Sequence, residues 1–462
     1  MDDFIACTDN ITQDHILQLS RAMLHGIHTV FPPTKVTKHN GGDPISEAKL
    51  DKLEGLWDHA KEILGWLING ANFTIQLPPA KVAKIQQKLK KLTKTKRLSL
   101  NDFQKIAGTL HHAATGIPGG RGLFTVIWSA MKHCKSGWIK LTPDLRTVLD
   151  DFKWLFREIA NHPINVAQLV PTLPDNIGYC DACKHAAGGV WIIPQENNTN
   201  RHVFWTCDFP ADIILLFQNG LLSINDFEMA GILLEWLVLE HLLPSLSNSQ
   251  SGISCDNSSA VHWTRKFTAR SLTAGHLLRA LALRQQICKA PPILVISIAG
   301  SLNTMADVAS RYSSDASMQK HSPSLLHYFN TNFKQTTSWE EFRLPPKLSS
   351  HVMSSLRGRL LTLESWRRLP GLVKNTGTAG VVTQPASKST RYSKPQTPSS
   401  VTSPSQRTLL GSGEATTVMD IRSKFKESLT PFRPSARPSS WLDTPAPSTE
   451  PRTHTPSRFN DV

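Results

Sequence analysis

The sequence from 176 to 194, NIGYCDACKHAAGGVWIIP, is the most informative about the fold, because it sets one acidic residue, Asp181, inside an otherwise apolar extended segment. Side chains alternate between the two faces of a strand, so Asp181 shares a face with Ile177 and Tyr179. An acid on such a face is unusual as a mere surface charge. Extended-type runs predict three successive strands in an antiparallel meander. These runs are Ile177–Cys183, Gly189–Pro194 and His202–Phe209.

Helices and strands alternate downstream of the meander. Ser223 and Asp226 are spaced as a capping box, which begins a helix that Pro244 ends. Asn257 to Ser259 supply N-cap chemistry for another helix, and Asn303 is placed to cap the last one. The remaining predicted elements are a strand at 252–256, a helix at 272–288 and a strand at 293–298. The order β-β-β-α-β-α-α-β-α predicts a fold of the α/β class.

Four carboxylates occupy positions from which their side chains would converge at one edge of this sheet. They are Asp181 in the first strand, Glu228 in the early turns of an apolar helix, Asp256 at the end of the fourth strand, and Asp307 in the first turns of the last helix. Phosphodiester hydrolysis by two metal ions needs such a cluster, because Mg²⁺ prefers oxygen ligands and two cations about 4 Å apart repel unless carboxylates neutralise them. We predict that all four bind metal and are catalytic. A capping or solvated role remains the alternative for any one acid alone.

Short strings surround the four acids: Cys180-Asp181-Ala182 with Gly188-Gly189, Asn225-Asp226-Phe227-Glu228, Cys255 to Ala260, Gly300 to Asn303, and Ala306 to Arg311. Together they resemble the ribonuclease H domain of retrotransposon polyproteins, most of all the tyrosine-recombinase (DIRS-like) retroelements, over nearly all of residues 172–315. The resemblance implies a mixed five-stranded sheet with flanking helices, two Mg²⁺ or Mn²⁺ ions, and hydrolysis of the RNA strand of RNA–DNA hybrids. Ser297 stands where many relatives carry histidine, which puts substrate contacts in doubt but not metal binding.

The beginning of the chain is similar to the same family. Met1-Asp2-Asp3 resembles the end of the Tyr-x-Asp-Asp motif of reverse transcriptases, and Leu64-Gly65-Trp66 resembles the primer grip. By this resemblance Asp2 and Asp3 are palm carboxylates of a polymerase remnant, with a partial palm at 1–78 and a helical thumb or connection at 79–171. Because earlier palm and fingers residues are missing from the given sequence, we expect that this chain alone does not polymerise DNA.

A cationic helix is predicted at the start of the thumb-like region. Apolar residues recur at helical spacing between Lys81 and Arg97, and the same stretch holds basic residues and no acidic ones. We predict that this face lies along a phosphate backbone, with a solvated surface helix as the alternative. A second helix should begin at the capping box of Ser99 and Asp102. The predicted nucleic-acid-binding residues are Lys81, Lys84, Lys88, Lys90, Lys91, Lys94, Lys96 and Arg97.

Composition narrows the functional classes. The chain has 462 residues, a formal net charge of +15 and a pI near 9.6, which favours a polyanionic partner such as nucleic acid. The sequence contains no uncharged apolar run long enough to predict a membrane span. The first residues do not resemble a secretory signal, so we expect an intracellular protein. The pair Cys180 and Cys183 supplies only two zinc ligands. Residues 316–374 are predicted to be a partly helical extension, and the Ser/Thr/Pro-rich, basic residues 375–462 a disordered tail.

Three interpretations stay open at this point. The chain is either an active nuclease or a catalytically inactive nucleic-acid-binding remnant of a decayed retrotransposon. A third interpretation is that it is a fragment of a longer polyprotein that includes fingers and palm.

Overall fold

The computed structural model describes residues 7–9, 12–32, 57–170, 172–247, 249–335 and 337–369. Its strands are β1 (Ala60–Ile63), β2 (Trp66–Asn69), β3 (Thr74–Gln76), β4 (Arg97–Ser99), β5 (Trp138–Lys140), β6 (Ile164–Asn165), β7 (Asn176–Ala182), β8 (Ala186–Pro194), β9 (Asn200–Asp208), β10 (Ser251–Cys255), β11 (Leu294–Ser297) and β12 (Trp339–Glu341). Its helices are α1 (Gln13–Val30), α2 (Pro79–Leu92), α3 (Leu100–Thr115), α4 (Thr125–Lys132), α5 (Pro143–Asn161), α6 (Ala211–Gln218), α7 (Ile224–Leu242), α8 (Ser258–Lys266), α9 (Leu272–Cys288), α10 (Thr304–Arg311), α11 (Ala316–His321), α12 (Leu325–Asn332), α13 (Pro346–Leu356) and α14 (Leu363–Arg367).

The central sheet is mixed and has the strand order β11-β10-β7-β8-β9-β12. Strands β7, β8 and β9 form the predicted antiparallel meander, whereas β10 runs parallel to β7 and β11 parallel to β10. Five strands were predicted here, and the sheet has a sixth, β12, parallel to β9. Trp339 anchors this extra strand, because its indole is buried and its Nε1 donates to the Phe333 carbonyl at 2.6 Å.

Both faces of the sheet are covered by helices. On one face α7 packs against β7 and β8, and α9 packs against α7. On the other face α10 packs against β7, β8 and β9. Helix α7 is buried on all sides from Asp226 to Glu240, as expected for a helix that lies between the sheet and a second helical layer. The capping box predicted at its start is present, since the Ser223 backbone N–H donates to Asp226 Oδ2 at 2.9 Å.

The cationic helix is shorter than the sequence predicts. Helix α2 ends at Leu92, so Lys94, Lys96 and Arg97 follow it, with Arg97 in strand β4. The physical reason lies about fifty residues away: the Arg146 guanidinium donates to the carbonyls of Thr93 at 3.0 Å and Thr95 at 2.5 Å. A side chain that satisfies these terminal carbonyls removes the need for another helical turn.

The N-terminal region contains a small sheet of order β1-β2-β3-β6. Leu64 and Gly65 have positive φ at the turn between β1 and β2, and Trp66 begins β2. The primer-grip role of these residues stays a prediction. Asp2 and Asp3, interpreted as polymerase carboxylates, lie outside the described residues.

One hydrophobic core runs from Leu77 to Leu369 and joins segments that we assigned to four regions. A buried ion pair between Asp151 of α5 and Arg279 of α9, at 2.6 Å, crosses the predicted boundary at 171. Arg279 also donates to the Leu361 carbonyl at 2.7 Å, which ties the predicted extension to the same core. The predicted tail, 375–462, lies outside the described residues. Across the part of the chain that is described, no helix has both the length and the apolar character needed to cross a membrane.

Candidate metal centre

The four predicted carboxylates come from four different elements. Asp181 lies near the end of β7, and Asp256 directly follows β10. Since β7 and β10 are adjacent and parallel, these two residues leave the sheet at the same edge. Glu228 lies in the second turn of α7 and Asp307 in the first turn of α10, so the two helical layers contribute one acid each.

The structure brings all four acids into one electrostatic cluster. The negative charges of Asp256 and Asp307 act on Asp181, those of Asp181 and Asp256 act on Glu228, and that of Asp256 acts on Asp307. Within the described residues, one set of potential metal ligands, from Glu228, Cys255 and Asp256, has its ligand atoms within 4.8 Å of one another. The acids that are far apart in sequence therefore converge, and a cysteine joins them.

Burial raises the pKa of three of these acids, Asp181, Glu228 and Asp307. Burial, followed by the neighbouring Cys255, Asp181 and Asp256 side chains, raises the pKa of the Glu228 carboxyl to about 11. Burial also raises the pKa of Asp181, against the opposing effect of a hydrogen bond from Ser310. A low-dielectric site disfavours several adjacent negative charges unless cations neutralise them. The cluster is therefore suited either to protons or to divalent cations.

Helix α10 positions two of the four carboxylates. Ser310 Oγ donates to Asp181 Oδ2 at 2.5 Å, and the Arg311 guanidinium pairs with Asp307 Oδ1 at 2.6 Å. The close approach of α10 to β8 requires Gly188, because a Cβ there would lie 2.4 Å from the Ala309 carbonyl carbon and the Ser310 nitrogen. Gly188 is thus explained by the packing that delivers Asp307, whereas a Cβ at Gly189 would meet Glu235 Oε2 on the opposite face.

Sequence reasoning missed the roles of Ser310, Arg311 and Cys255. The first two were detectable, since they follow Asp307 by three and four residues and lie on its side of a helix. Cys255 was not, because the residue before Asp256 in a strand is expected to point to the opposite face.

Asn303 differs from its predicted role. It occupies the N-cap position of α10, but its side chain makes no capping hydrogen bond. Its Nδ2 instead donates to the Cys180 carbonyl at 3.0 Å. This bond attaches the start of α10 to strand β7 next to Asp181.

The two cysteines of the C-x-x-C string make separate contacts. Cys180 is fully buried and lies next to Cys255. Cys183 lies in the turn after β7, where its Sγ donates to the Ser310 carbonyl at 3.3 Å. The two side chains therefore do not converge on a common ligand.

The predicted basic residues lie on a surface that we call the cationic surface. Helix α2 buries Val82, Ile85, Leu89 and Leu92 and leaves its lysines on the opposite side. Lys81 is half-buried, and its Nζ donates to the Gly65 carbonyl at 3.0 Å. The exposed members are Lys84, Lys88, Lys90, Lys91, Lys94, Lys96 and Arg97. The Arg97 guanidinium lies over the exposed Trp138 ring, 5.1 Å from its centroid.

Comparisons with known proteins find no matching family model and no similar curated protein. Among solved structures, the chain is similar to a foamy viral protease-reverse transcriptase in complex with double-stranded DNA, at 12% identity over 53% of this chain and 38% of that one, with a TM-score of 0.22. It is also similar to the same kind of viral protein in complex with an RNA/DNA hybrid, at 11% identity over 71% of this chain and 40% of that one, with a TM-score of 0.23. An RNase H1 isolated from compost by a metagenomic approach matches at 14% identity over 31% of this chain and 99% of that one, with a TM-score of 0.23. The chain thus spans about two fifths of the length of these viral proteins.

Proposed function

We propose that this chain is a ribonuclease H-type nuclease that hydrolyses the RNA strand of RNA–DNA hybrids with two divalent cations, Mg²⁺ or Mn²⁺. The observation that carries the proposal is the convergence of Asp181, Glu228, Asp256 and Asp307 at one edge of a mixed sheet. Carboxylate oxygens are the ligands that hard divalent cations prefer, and four of them offset the repulsion between two such ions. The residues present therefore fit this metal pair.

The four acids divide into a buried and an accessible pair. Asp181 and Glu228 are 3% and 4% exposed, so they would form the floor of the site. Asp256 and Asp307 are half-buried, so a phosphodiester in solvent would reach them first. Bound cations would activate the attacking water and stabilise the leaving 3′ oxygen. Ser310 and Arg311 would keep Asp181 and Asp307 in place while this happens.

Amide substitutions of the site acids test the proposal. Asp181→Asn and Asp256→Asn should each lower hybrid cleavage by more than about 100-fold, while folding and hybrid binding persist. Loss of a residue that only supports a metal ligand typically costs ~10- to 100-fold, and loss of a ligand itself should cost more. Glu196→Gln is the matched control, because Glu196 is exposed in the turn between β8 and β9. Cleavage that survives both aspartate substitutions, or that needs no divalent cation, would rule the metal centre out.

The cationic surface is proposed to hold the hybrid by its phosphates. Replacing the exposed Lys84, Lys88 and Lys91 by glutamate should weaken hybrid binding about equally for all sequences. It should also reduce the slope of log affinity against log salt by about one for each phosphate that the variant no longer neutralises. An unchanged salt slope would show that these lysines are only a solvated helix face.

An inactive nucleic-acid-binding remnant is the alternative function. The exposed lysines of α2 favour it, because they would bind nucleic acid whether or not the metal centre works. Hybrid binding without any Mg²⁺- or Mn²⁺-dependent cleavage by the purified chain would select this alternative. Membership of the DIRS-like retroelements, with a polymerase remnant at Asp2 and Asp3 and a partial palm and thumb before the nuclease, stays part of the proposal.

A further inference from the structure

The edge of the sheet holds one potential metal ligand, the Cys255 thiol, that Mg²⁺ would not bind. Cys255 Sγ lies 3.7 Å from Glu228 Oε2, and both atoms lie within 4.8 Å of a carboxylate oxygen of Asp256. Mg²⁺ takes oxygen ligands, whereas Zn²⁺ and Cd²⁺ bind thiolates and carboxylates together. The same corner of the site thus offers one sulfur and two oxygens to a thiophilic cation.

The Glu228 carboxyl is poorly satisfied for a group so deeply buried. It is 4% exposed, and within the described residues its carboxylate oxygens accept one hydrogen bond, from the Cys255 thiol. Thiols are weak donors, and a buried carboxyl usually finds better partners. The Cys255 thiol is therefore the one protein donor to this carboxyl within the described residues, and a bound cation would be a stronger partner.

A second thiol lies next to the first. Cys180 on β7 and Cys255 on β10 are both fully buried, and their side chains contact each other across the two parallel strands. The pairing of Ser254 with Tyr179 places the two cysteines at neighbouring positions of the ladder. The site therefore contains two sulfur atoms on its inner side and carboxylates on its outer side.

We propose that Cys255, Glu228 and Asp256 bind a thiophilic divalent cation such as Zn²⁺, with Cys180 packed behind the sulfur ligand. Ligand atoms around a tetrahedral zinc lie roughly 3.5 Å apart, so the three side chains need to close by about 1 Å. Binding releases two protons to solvent, one from the Cys255 thiol as the sulfur–metal bond forms and one from the Glu228 carboxyl as the oxygen–metal bond forms. Three protein ligands leave the fourth position to water.

This inference rests on the proposed function only where it concerns inhibition. Zn²⁺ bound by Glu228 and Asp256 takes two of the four acids assigned to the catalytic cations, so it should inhibit Mg²⁺-dependent cleavage. Metal binding itself needs no activity.

The test is a Cd²⁺ titration of the full, reduced, metal-free chain, followed by the ultraviolet charge-transfer band of thiolate bound to cadmium. The intact chain should bind one equivalent that Cys255→Ser loses. Cys134→Ser, which removes a partly exposed cysteine elsewhere, should keep that equivalent. Asp256→Asn retains the thiol and a half-buried position, so it should keep the band while weakening Cd²⁺ binding by at least about tenfold.

Two outcomes would overturn the proposal. One is Cd²⁺ binding with the same band and affinity in Cys255→Ser as in the intact chain. The other is an affinity that Asp256→Asn leaves unchanged in protein with an unaltered thermal melt. A Cys255-dependent band in a chain that never cleaves hybrids would instead disprove the nuclease function and leave this site standing.

Discussion

Ser310→Ala is the sharpest test of how the site is held together. The hydroxyl of Ser310 is buried and donates to Asp181 Oδ2 at 2.5 Å, so its removal leaves a buried carboxylate oxygen without its partner. A hydrogen bond to a charged group contributes ~1.5–3 kcal/mol. If that stabilises the ionised Asp181 that a cation needs, metal binding should weaken by ~10- to 150-fold, since 1.4 kcal/mol corresponds to tenfold. The change should appear in metal affinity more than in substrate affinity.

The assay is Mn²⁺ binding by calorimetry, together with the Mn²⁺ concentration that half-saturates hybrid cleavage. Ser313→Ala is a matched control, because Ser313 Oγ donates to Asp208 Oδ1 at 2.6 Å on the exposed surface. That variant should leave both quantities unchanged. The reasoning is refuted if Ser310→Ala folds normally and binds Mn²⁺ as tightly as the intact chain.

Three further predictions concern stability. Glu228 has a pKa raised from 4.5 to about 11, so the stability that it contributes is complete below about pH 4.5 and is lost as the pH rises. Thermal melts of the metal-free protein should show that the free energy of unfolding falls by up to about 3 kcal/mol between about pH 5.5 and about pH 8. A Glu228→Gln variant with the same pH dependence would contradict this. Arg284→Met leaves Glu240 buried without its ion-pair partner and should cost ~3–5 kcal/mol in urea unfolding, whereas adding Glu240→Leu should restore most of the stability. Gly188→Ala should destabilise the protein by ~1–3 kcal/mol, because the added Cβ would meet the backbone of α10. Gly108→Ala has open space around it and should stabilise α3 by up to about 1 kcal/mol. Equal melting temperatures for the two variants would disprove this packing.

Local patterns in the sequence predicted the elements well where local forces decide them. The capping boxes at Ser99 and Ser223 marked the starts of α3 and α7, because a cap is satisfied by residues three positions away. The alternation around Asp181 placed it on the face of β7 that α10 covers, where Ser310 contacts it. The residue types of the candidate site, and the order of its acids along the chain, could therefore be predicted from local patterns.

Other features depend on contacts between distant residues. The end of α2 at Leu92 is accompanied by hydrogen bonds from Arg146, and the sixth strand depends on the burial of Trp339, neither of which has a local signal. The extension likewise joins the core through a hydrogen bond from Arg284 to the Trp366 carbonyl.

Residue types and local patterns were enough to establish which acids are present and on which elements they lie, because strand alternation, helix caps and residue chemistry are local properties. The folded arrangement was needed to establish that Asp181 and Asp256 share an edge, that Cys255 faces Glu228, and that burial raises the pKa of this carboxyl. Strand order and desolvation arise from packing between segments tens of residues apart, so no pattern within one segment contains them.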